Sequence, residues 1–398
     1  MRTKIWCLLI VIMLFAAALS ACKSSDKQGN LRADVQQKAG SISSRRAGIY
    51  NQSVPYSGRF AVSDHGIYTL NTISEGTHAR RVLLYSDLGS DVFSYVCSRP
   101  DCTHIDKTCD AYLDGADVIT YIDEHIYYAG MFARSESDPT FSMKIMRADA
   151  DGRNCVEVID IGAEEPFKQG NLGFEAFADG VFYFMHHWVD ENGNQQGQSY
   201  CYKLDGSMQT PQAVDVPLVY GSDGAETFFW FPSNPVEYFA WNPEEMSVTP
   251  LFTLDPETSC YMATENAFIM TDNKIYKKDY DTGEETLLFD TGLEGTHRMI
   301  CFPDCIVIRN AVAYDGSEPE LKQQTLRFYS WEFEPLGEIT LDFALLQGTS
   351  SPICAETPDK LLICTDISGI PRYYIDKSEF GTGHITLHEF KLPMGFQQ

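Results

Sequence analysis

From residue 58 onward, apolar residues come in short runs that alternate with polar ones, the period of strands buried on one side. Clusters of Asp, Asn, Gly and Pro, the residues that favour turns, separate the runs. One hairpin recurs: an apolar strand, a tight turn, then a strand opening on an aliphatic-aromatic pair. It reads Phe60-Ala-Val-Ser-Asp64-His65-Gly66-Ile67-Tyr68, and again from Ile119 to Tyr128 around Asp123 and from Phe174 to Tyr183 around Asp179-Gly180. Looser copies run from Tyr261 to Ile269, from Ile300 to Ile308 around Pro303-Asp304, and from Ile353 to Ile363 around Pro358-Asp359. A degenerate copy runs from Val219 through Asp223-Gly224 to Phe231.

A second pair of strands follows each hairpin: Val82 to Tyr85 with Val92 to Val96, Met143 to Arg147 with Cys155 to Ile159, and Tyr200 to Leu204 with Ala213 to Val216. The series continues with Val236 to Trp241 and Val248 to Phe252, Lys274 to Tyr280 and Thr286 to Phe289, Leu326 to Trp331 and Leu336 to Leu341, and Tyr373 to Asp376 and Ile385 to Phe390. Four antiparallel strands therefore repeat at a spacing of roughly 50 residues. Such a unit cannot bury both faces of its sheet alone, so its copies must stack around an axis. The expected fold is all-β, a β-propeller of seven four-stranded blades, with six or eight kept open.

The aliphatic-aromatic-Lys/Arg runs, followed by turns such as Asp149-Ala-Asp151-Gly152-Arg153-Asn154 and Asp205-Gly206-Ser207, resemble known repeats. They are similar to the TolB-like propeller repeats of unknown function in surface lipoproteins of clostridia and related gut bacteria. The resemblance covers most of residues 58–392. It implies a fold and a cell-surface location, and no settled activity.

The N-terminus supports that location. Arg2 and Lys4 precede an apolar stretch from Ile5 to Leu19, followed by Leu19-Ser20-Ala21-Cys22. The arrangement is that of a secretory signal, and its end resembles a lipobox, which implies acylation of Cys22 as the first residue of the mature chain. A plain signal peptide or a membrane anchor is the alternative, although the run is short for a span of ~20 residues. Residues 22–57, rich in Ser, Gln, Lys, Gly and Arg, read as the lipidated cysteine and a flexible tether. Residues 58–398 then form a single propeller domain, anchored by lipid to the outer face of the cell membrane.

Charge narrows the partners. With 30 basic against 56 acidic side chains the formal charge is −26, and loss of residues 1–21 with Arg2 and Lys4 makes it −28. Nucleic acid is excluded, because phosphate binding needs clustered Lys and Arg. Arg32, Arg45 and Arg46 fall in the tether, where they either approach anionic lipid or are simply solvated.

Connectivity predicts that the loops between second and third strands share one face with the connections between blades. The long loops, at about Thr72 to Arg80, Gly130 to Ser142, Met185 to Ser199, Asn310 to Thr325 and Thr365 to Pro371, all lie there. Long loops on a rigid scaffold are where binding occurs. Trp188, His186, His187, Tyr127 and Tyr128 are the expected contacts for a carbohydrate, peptide or protein ligand. The expected role is non-catalytic binding or scaffolding. The alternative is a propeller hydrolase or lyase acting on extracellular carbohydrate or peptide through carboxylates near the central channel.

The sharpest chemical cluster is Cys97-Ser-Arg-Pro-Asp-Cys102-Thr-His104-Ile-Asp-Lys-Thr-Cys109. Three thiolates and an imidazole suit a closed tetrahedral Zn²⁺ site of structural kind. The segment also resembles a cysteine-histidine run of the same lipoprotein group. A disulfide among its cysteines is the competing chemistry outside the cytoplasm. Cys301 with Cys305, and Cys354 with Cys364, flank their hairpin turns and are expected either as cross-strand disulfides or as small apolar residues of the inner layer. Asp149, Asp151 and Asn154 resemble the start of a calcium loop but lack its closing Glu. His384 and His388 stand four apart in an expected strand. No phosphate loop, nucleophile elbow or His-Glu-x-x-His motif is present, so no catalytic residue is assigned.

Overall fold

Seven four-stranded antiparallel sheets form, each from strands consecutive in the chain. The computed structural model describes residues 59–393 apart from short internal stretches, the longest being 134–140, 311–322, 343–352 and 365–370. Cys22 and the tether therefore lie outside the described residues.

Blade 1 holds β1 (Phe60–Val62), β2 (Gly66–Glu75), β3 (His78–Asp87) and β4 (Ser94–Tyr95). Blade 2 holds β5 (Ala116–Ile122), β6 (His125–Ala133), β7 (Phe141–Asp149) and β8 (Val156–Asp160). Blade 3 follows with β9 (Asn171–Ala178), β10 (Val181–Val189), β11 (Gln195–Lys203) and β12 (Gln212–Val214), and blade 4 with β13 (Val219–Ser222), β14 (Thr227–Phe231), β15 (Val236–Asn242) and β16 (Ser247–Leu254). Blade 5 comprises β17 (Ser259–Met262), β18 (Asn266–Thr271), β19 (Lys274–Asp279) and β20 (Glu285–Asp290); blade 6, β21 (His297–Cys301), β22 (Ile306–Asn310), β23 (Gln323–Tyr329) and β24 (Pro335–Asp342); blade 7, β25 (Ile353–Glu356), β26 (Lys360–Cys364), β27 (Pro371–Asp376) and β28 (His388–Glu389).

The first strands contact one another, β1 with β5, β5 with β9, β9 with β13 and β17 with β21, and so form the inner layer. Alternate side chains on each strand enter the seams on its two sides. One seam joins blades 1 and 2 through Leu70, Leu83, Ile126 and Tyr128. Blades 2, 3 and 4 meet through Ile145, Phe182, Phe184 and Trp241. Blades 4 and 5 meet through Tyr238, Met262 and Ile269, blades 5 and 6 through Tyr261, Ile275 and Ile308, and blades 6 and 7 through Ile300, Val307, Leu361 and Ile375. The last seam returns to blade 1: Phe60, Ile67 and Phe93 pack on Leu362, Cys364 and Phe390. A closed ring of seven blades, a β-propeller, is therefore the fold. Full burial of each Leu, Ile or Phe contributes about 1.5–3 kcal/mol, so the seams dominate stability.

Turn chemistry fixes the hairpins. Asp123-Glu124 and Asp272-Asn273 close two-residue turns with positive φ at both positions, matching the strand twist. In three blades an aromatic group after or near the end of the third strand is tied to the first turn: the Tyr85 hydroxyl donates to the His65 carbonyl (3.1 Å), Tyr280 to Ala263 (2.8 Å), and the Trp331 indole to Phe302 (3.0 Å).

Two expectations are corrected. Two of the anticipated long loops are strand instead: β2 continues to Glu75 and β3 begins at His78, while β10 continues to Val189 and β11 begins at Gln195. Polar residues extend these hairpins through backbone pairing, which needs no apolar side chain. The loops at 311–322 and 365–370 lie outside the described residues. Cys301 does not face Cys305. The Phe302 amide donates to the Cys305 carbonyl (2.8 Å), so Cys301 pairs with Ile306. The two thiols thus enter opposite seams, and neither is bridged. A bulge between Ile353 and Ala355 interrupts the pairing at Cys354, whose side chain lies outside the described set; Cys364 is packed in the closing seam. Among the described residues no helix is long and apolar enough to cross a membrane.

Candidate metal centre

The outer strand of blade 1 is split. Its first half pairs Ser94 and Tyr95 with Tyr85 and Leu84, and the Val96 amide donates to the Leu83 carbonyl (3.1 Å). The chain then leaves the sheet and returns after Cys109. On its return the Ala111 carbonyl accepts from the Leu83 amide (2.7 Å), Tyr112 bridges Val82, and the Leu113 amide donates to the Arg81 carbonyl (3.0 Å). Residues 97–110 are thus an excursion from an outer strand, with Cys97 and Cys109 at its neck.

Local geometry folds the excursion inward. The Cys102 amide donates to the Arg99 carbonyl (3.2 Å), closing a turn, and His104 takes a left-handed backbone conformation (φ 56°). His104 stacks on Tyr95 at 4.2 Å, and its Nδ1 is 3.3 Å from Cys109 Sγ. The ligand atoms of Cys97, Cys102, His104 and Cys109 all lie within 4.8 Å of one another. Tetrahedral Zn²⁺, with Zn–S of about 2.3 Å and Zn–N of about 2.0 Å, sets ligand separations near 3.5–3.8 Å. Movements of about 1 Å would close the four donors on such an ion. Among the described residues, no other three or more His, Cys, Asp and Glu converge in this way.

The electrostatics favour a cation at two donors and oppose the thiolate at a third. Burial opposes the Cys97 thiolate, but the amides of Arg99 and Asp110 donate to it and hold its pKa below the ordinary thiol value. Cys109, buried deepest, is pushed up to about 12 by burial, with the neighbouring thiols adding to the shift. Burial first, and the Arg99 charge second, lower His104, which leaves a neutral imidazole able to donate its lone pair. The second blade closes against the neck: a Cβ on Gly152, at φ +82°, would lie 2.8 Å from the Asp110 carbonyl oxygen and 3.1 Å from that of Val96.

The proposed ligand contacts lie elsewhere. His186, His187 and Trp188 belong to β10 and not to a loop. His186 is 2% exposed, donates from Nε2 to the Gln169 carbonyl, and stacks on Trp188 at 5.0 Å. Tyr127 and Tyr128, on β6, point into the seams on either side of blade 2, and the Tyr128 hydroxyl is 2.7 Å from Cys155 Sγ. His186 and Tyr128 are therefore buried between blades. The Asp149 and Asp151 carboxylates satisfy their own turn through Asn154 (2.6 Å) and the Arg153 amide (3.1 Å). His388 pairs with Glu379 at 2.7 Å, while His384 is exposed in the preceding loop.

Sequence reasoning did not find Tyr95, Arg99 and Asp110 as neighbours of the cluster, nor the resumption of the strand. The apolar Ala-Tyr-Leu run directly after Asp110 was the available signal.

No protein-family model matches the sequence, and no curated protein matches it. Among solved structures, the chain is similar to TolB from Acinetobacter baumannii, at 14% identity over 72% of this chain and 64% of that one, with a TM-score of 0.33. It is also similar to a puromycin hydrolase (12% identity, 85% and 51% covered, TM-score 0.42) and to Porphyromonas gingivalis dipeptidyl peptidase 4 (11%, 78% and 47%, TM-score 0.38). The chain thus spans about half the length of the last two. At these identities the likeness concerns fold alone, and the fold itself rests on the sheets and seams described above.

Proposed function

We propose that this chain is a lipid-anchored, extracytoplasmic propeller that holds a carbohydrate, peptide or protein ligand without transforming it, with a structural zinc ion at Cys97, Cys102, His104 and Cys109. The observation that carries this reading is where the cluster stands. It closes the neck of an excursion from an outer strand, and protein supplies all four donors. An ion held this way braces the rim and leaves no open position at which water would be activated.

Ligand contact then falls to the face carrying the loops between second and third strands. Phe141 and Val189, at the ends of neighbouring hairpins on that face, are 66% and 64% exposed, and Met131 is 37% exposed. Exposed apolar groups on a rigid scaffold suit ligand contact better than the buried His186 and Tyr128. Acylated Cys22 would hold the molecule at the membrane, while its strongly negative charge keeps the propeller off the anionic lipid surface.

The mature chain, made soluble with Cys22→Ser, should bind a member of a glycan or peptide array. Phe141→Ser and Val189→Ser should each weaken that binding about tenfold. Elemental analysis should give one zinc per chain, lost on Cys102→Ser. Sustained turnover of a glycoside, uronide or peptide would replace the binding reading with a hydrolase or lyase. A disulfide at Cys102 or Cys109 in place of zinc would remove the metal from it. Palmitate labelling that persists in Cys22→Ala would remove the anchor.

A further inference from the structure

We propose that Arg99 is the charge-compensating residue of the metal centre, holding the Cys102 thiolate and the Asp110 carboxylate together beside the ion and so setting its affinity and the reactivity of the Cys102 sulfur. The inference rests on the reading of the cluster as a zinc site.

Arg99 touches both limbs of the excursion. Its Nη2 is 3.5 Å from Cys102 Sγ on the outgoing limb, and the same atom donates to the Thr108 carbonyl on the returning one. Its Nε is 3.9 Å from Asp110 Oδ2, and that oxygen is 3.8 Å from Cys97 Sγ. Metal binding takes the proton from Cys97, because the thiolate is the ligand. The S–H that Asp110 accepts is then lost, and two negative groups face each other at close range. Three thiolates and a carboxylate, set against a divalent ion and one guanidinium, leave a single negative charge. Without Arg99 there would be two. A guanidinium N–H on a thiolate also draws electron density from sulfur, which lowers its nucleophilicity while it stays bound to the ion. Arg99 is 43% exposed, so solvent and salt screen its charge. The effect on affinity therefore belongs at the low end of what partners of metal ligands show, about tenfold.

The test compares wild type, Arg99→Gln, Arg99→Lys, Asp110→Asn and the Arg99→Gln/Asp110→Asn double variant, all as the mature chain. Zinc affinity is read by chelator competition, and the Co²⁺-loaded forms are examined by absorption. Cys102 in the zinc-loaded form is alkylated with iodoacetamide, which forms an S–C bond and releases iodide. Arg99→Gln should bind zinc about tenfold more weakly, alkylate faster, and shift the sulfur-to-cobalt charge-transfer band to lower energy. Arg99→Lys should recover most of the affinity, because the charge remains although the planar fork is lost. Asp110→Asn should bind more tightly than wild type, and the double variant should return toward it. That return is expected of compensated charge and not of a merely structural contact, and it remains readable if Arg99→Gln alone folds poorly. Wild-type affinity, band energy and alkylation rate in Arg99→Gln, or a double variant as weak as Arg99→Gln, would overturn the proposal and leave the zinc site standing. Failure of wild type to take up zinc would overturn the zinc reading, and this inference with it.

Discussion

In the four-residue turn from Phe302 to Cys305, a single amide-carbonyl bond sets Cys301 opposite Ile306 and sends neighbouring thiols into different seams. Burial first pushes the pKa of thiols in such places up, to about 11 at Cys201 against a small opposing pull from Lys203, so they pack as small apolar groups. The polar turn residues behave in the opposite sense. The Ser378 hydroxyl and amide hold the Asp376 carboxyl below its ordinary range, and Ser207 does the same for Asp205. A carboxylate with a lowered pKa stabilises the fold above the unfolded-state value of about 4 and loses that contribution as pH falls through the folded value. The thermal midpoint should therefore be flat from neutral pH to about pH 5 and drop below about pH 4, with a shallower drop in Asp376→Asn. Scanning calorimetry across this range checks it. At this scale the four residues of the cluster were legible, because Cys and His at short spacing have few other reasons to gather. Arg99 and Asp110 were not, because an exposed Arg and an Asp have many.

Among the elements, the seven hairpins were legible because alternation and turn residues are local signals. Their ends were not. Thr72 to Glu75 and His186 to Val189 carry on as strand through backbone bonds, whatever their side chains. The split outer strand was hidden for a further reason: its second half, Ala111 to Leu113, joins β3 only after the excursion has folded back. Blades are also joined by charge. Lys377, 9% exposed, donates to Asp304 and Glu356 at 2.7 Å each, linking blades 6 and 7. Burial alone would lower the Lys377 pKa, but the two carboxylates overcome it and keep the ammonium charged. Burial raises Glu356, which shares that single cation with Asp304. Lys377→Met should cost about 3 kcal/mol in urea unfolding, because it strands a half-buried carboxylate. Adding Glu356→Gln should recover part of the loss.

For the whole molecule, stability depends on closing the ring. Among the described residues no strand of blade 1 is lent to blade 7, or the reverse. Instead the Phe93 amide donates to the Lys391 carbonyl (2.9 Å), the Lys391 amide to Asp91 (2.7 Å), and Val92 runs parallel to Lys391. Phe390 fills the gap, 4.9 Å from Phe93 and 4.8 Å from Tyr374. Phe390→Ala should cost about 3–5 kcal/mol. Because every blade leans on two others, the loss should appear as a lower midpoint of one cooperative transition rather than as a separate early one. Two unfolding transitions in calorimetry would contradict this. Repetition made the ring legible in the sequence, whereas the means of closure was not, because it joins segments 300 residues apart.

That junction orders events in time. Whether at a ribosome or, as proposed, on the far side of a membrane, the beginning of the chain arrives first, so blades 1 to 6 can be finished one after another as they emerge. Blade 1 nevertheless keeps one flank bare until the segment around Lys391 has been made. During that wait the nascent chain offers an apolar surface to proteases and to other unfinished copies, and a defect near the C-terminus would therefore be felt first at the opposite end of the chain.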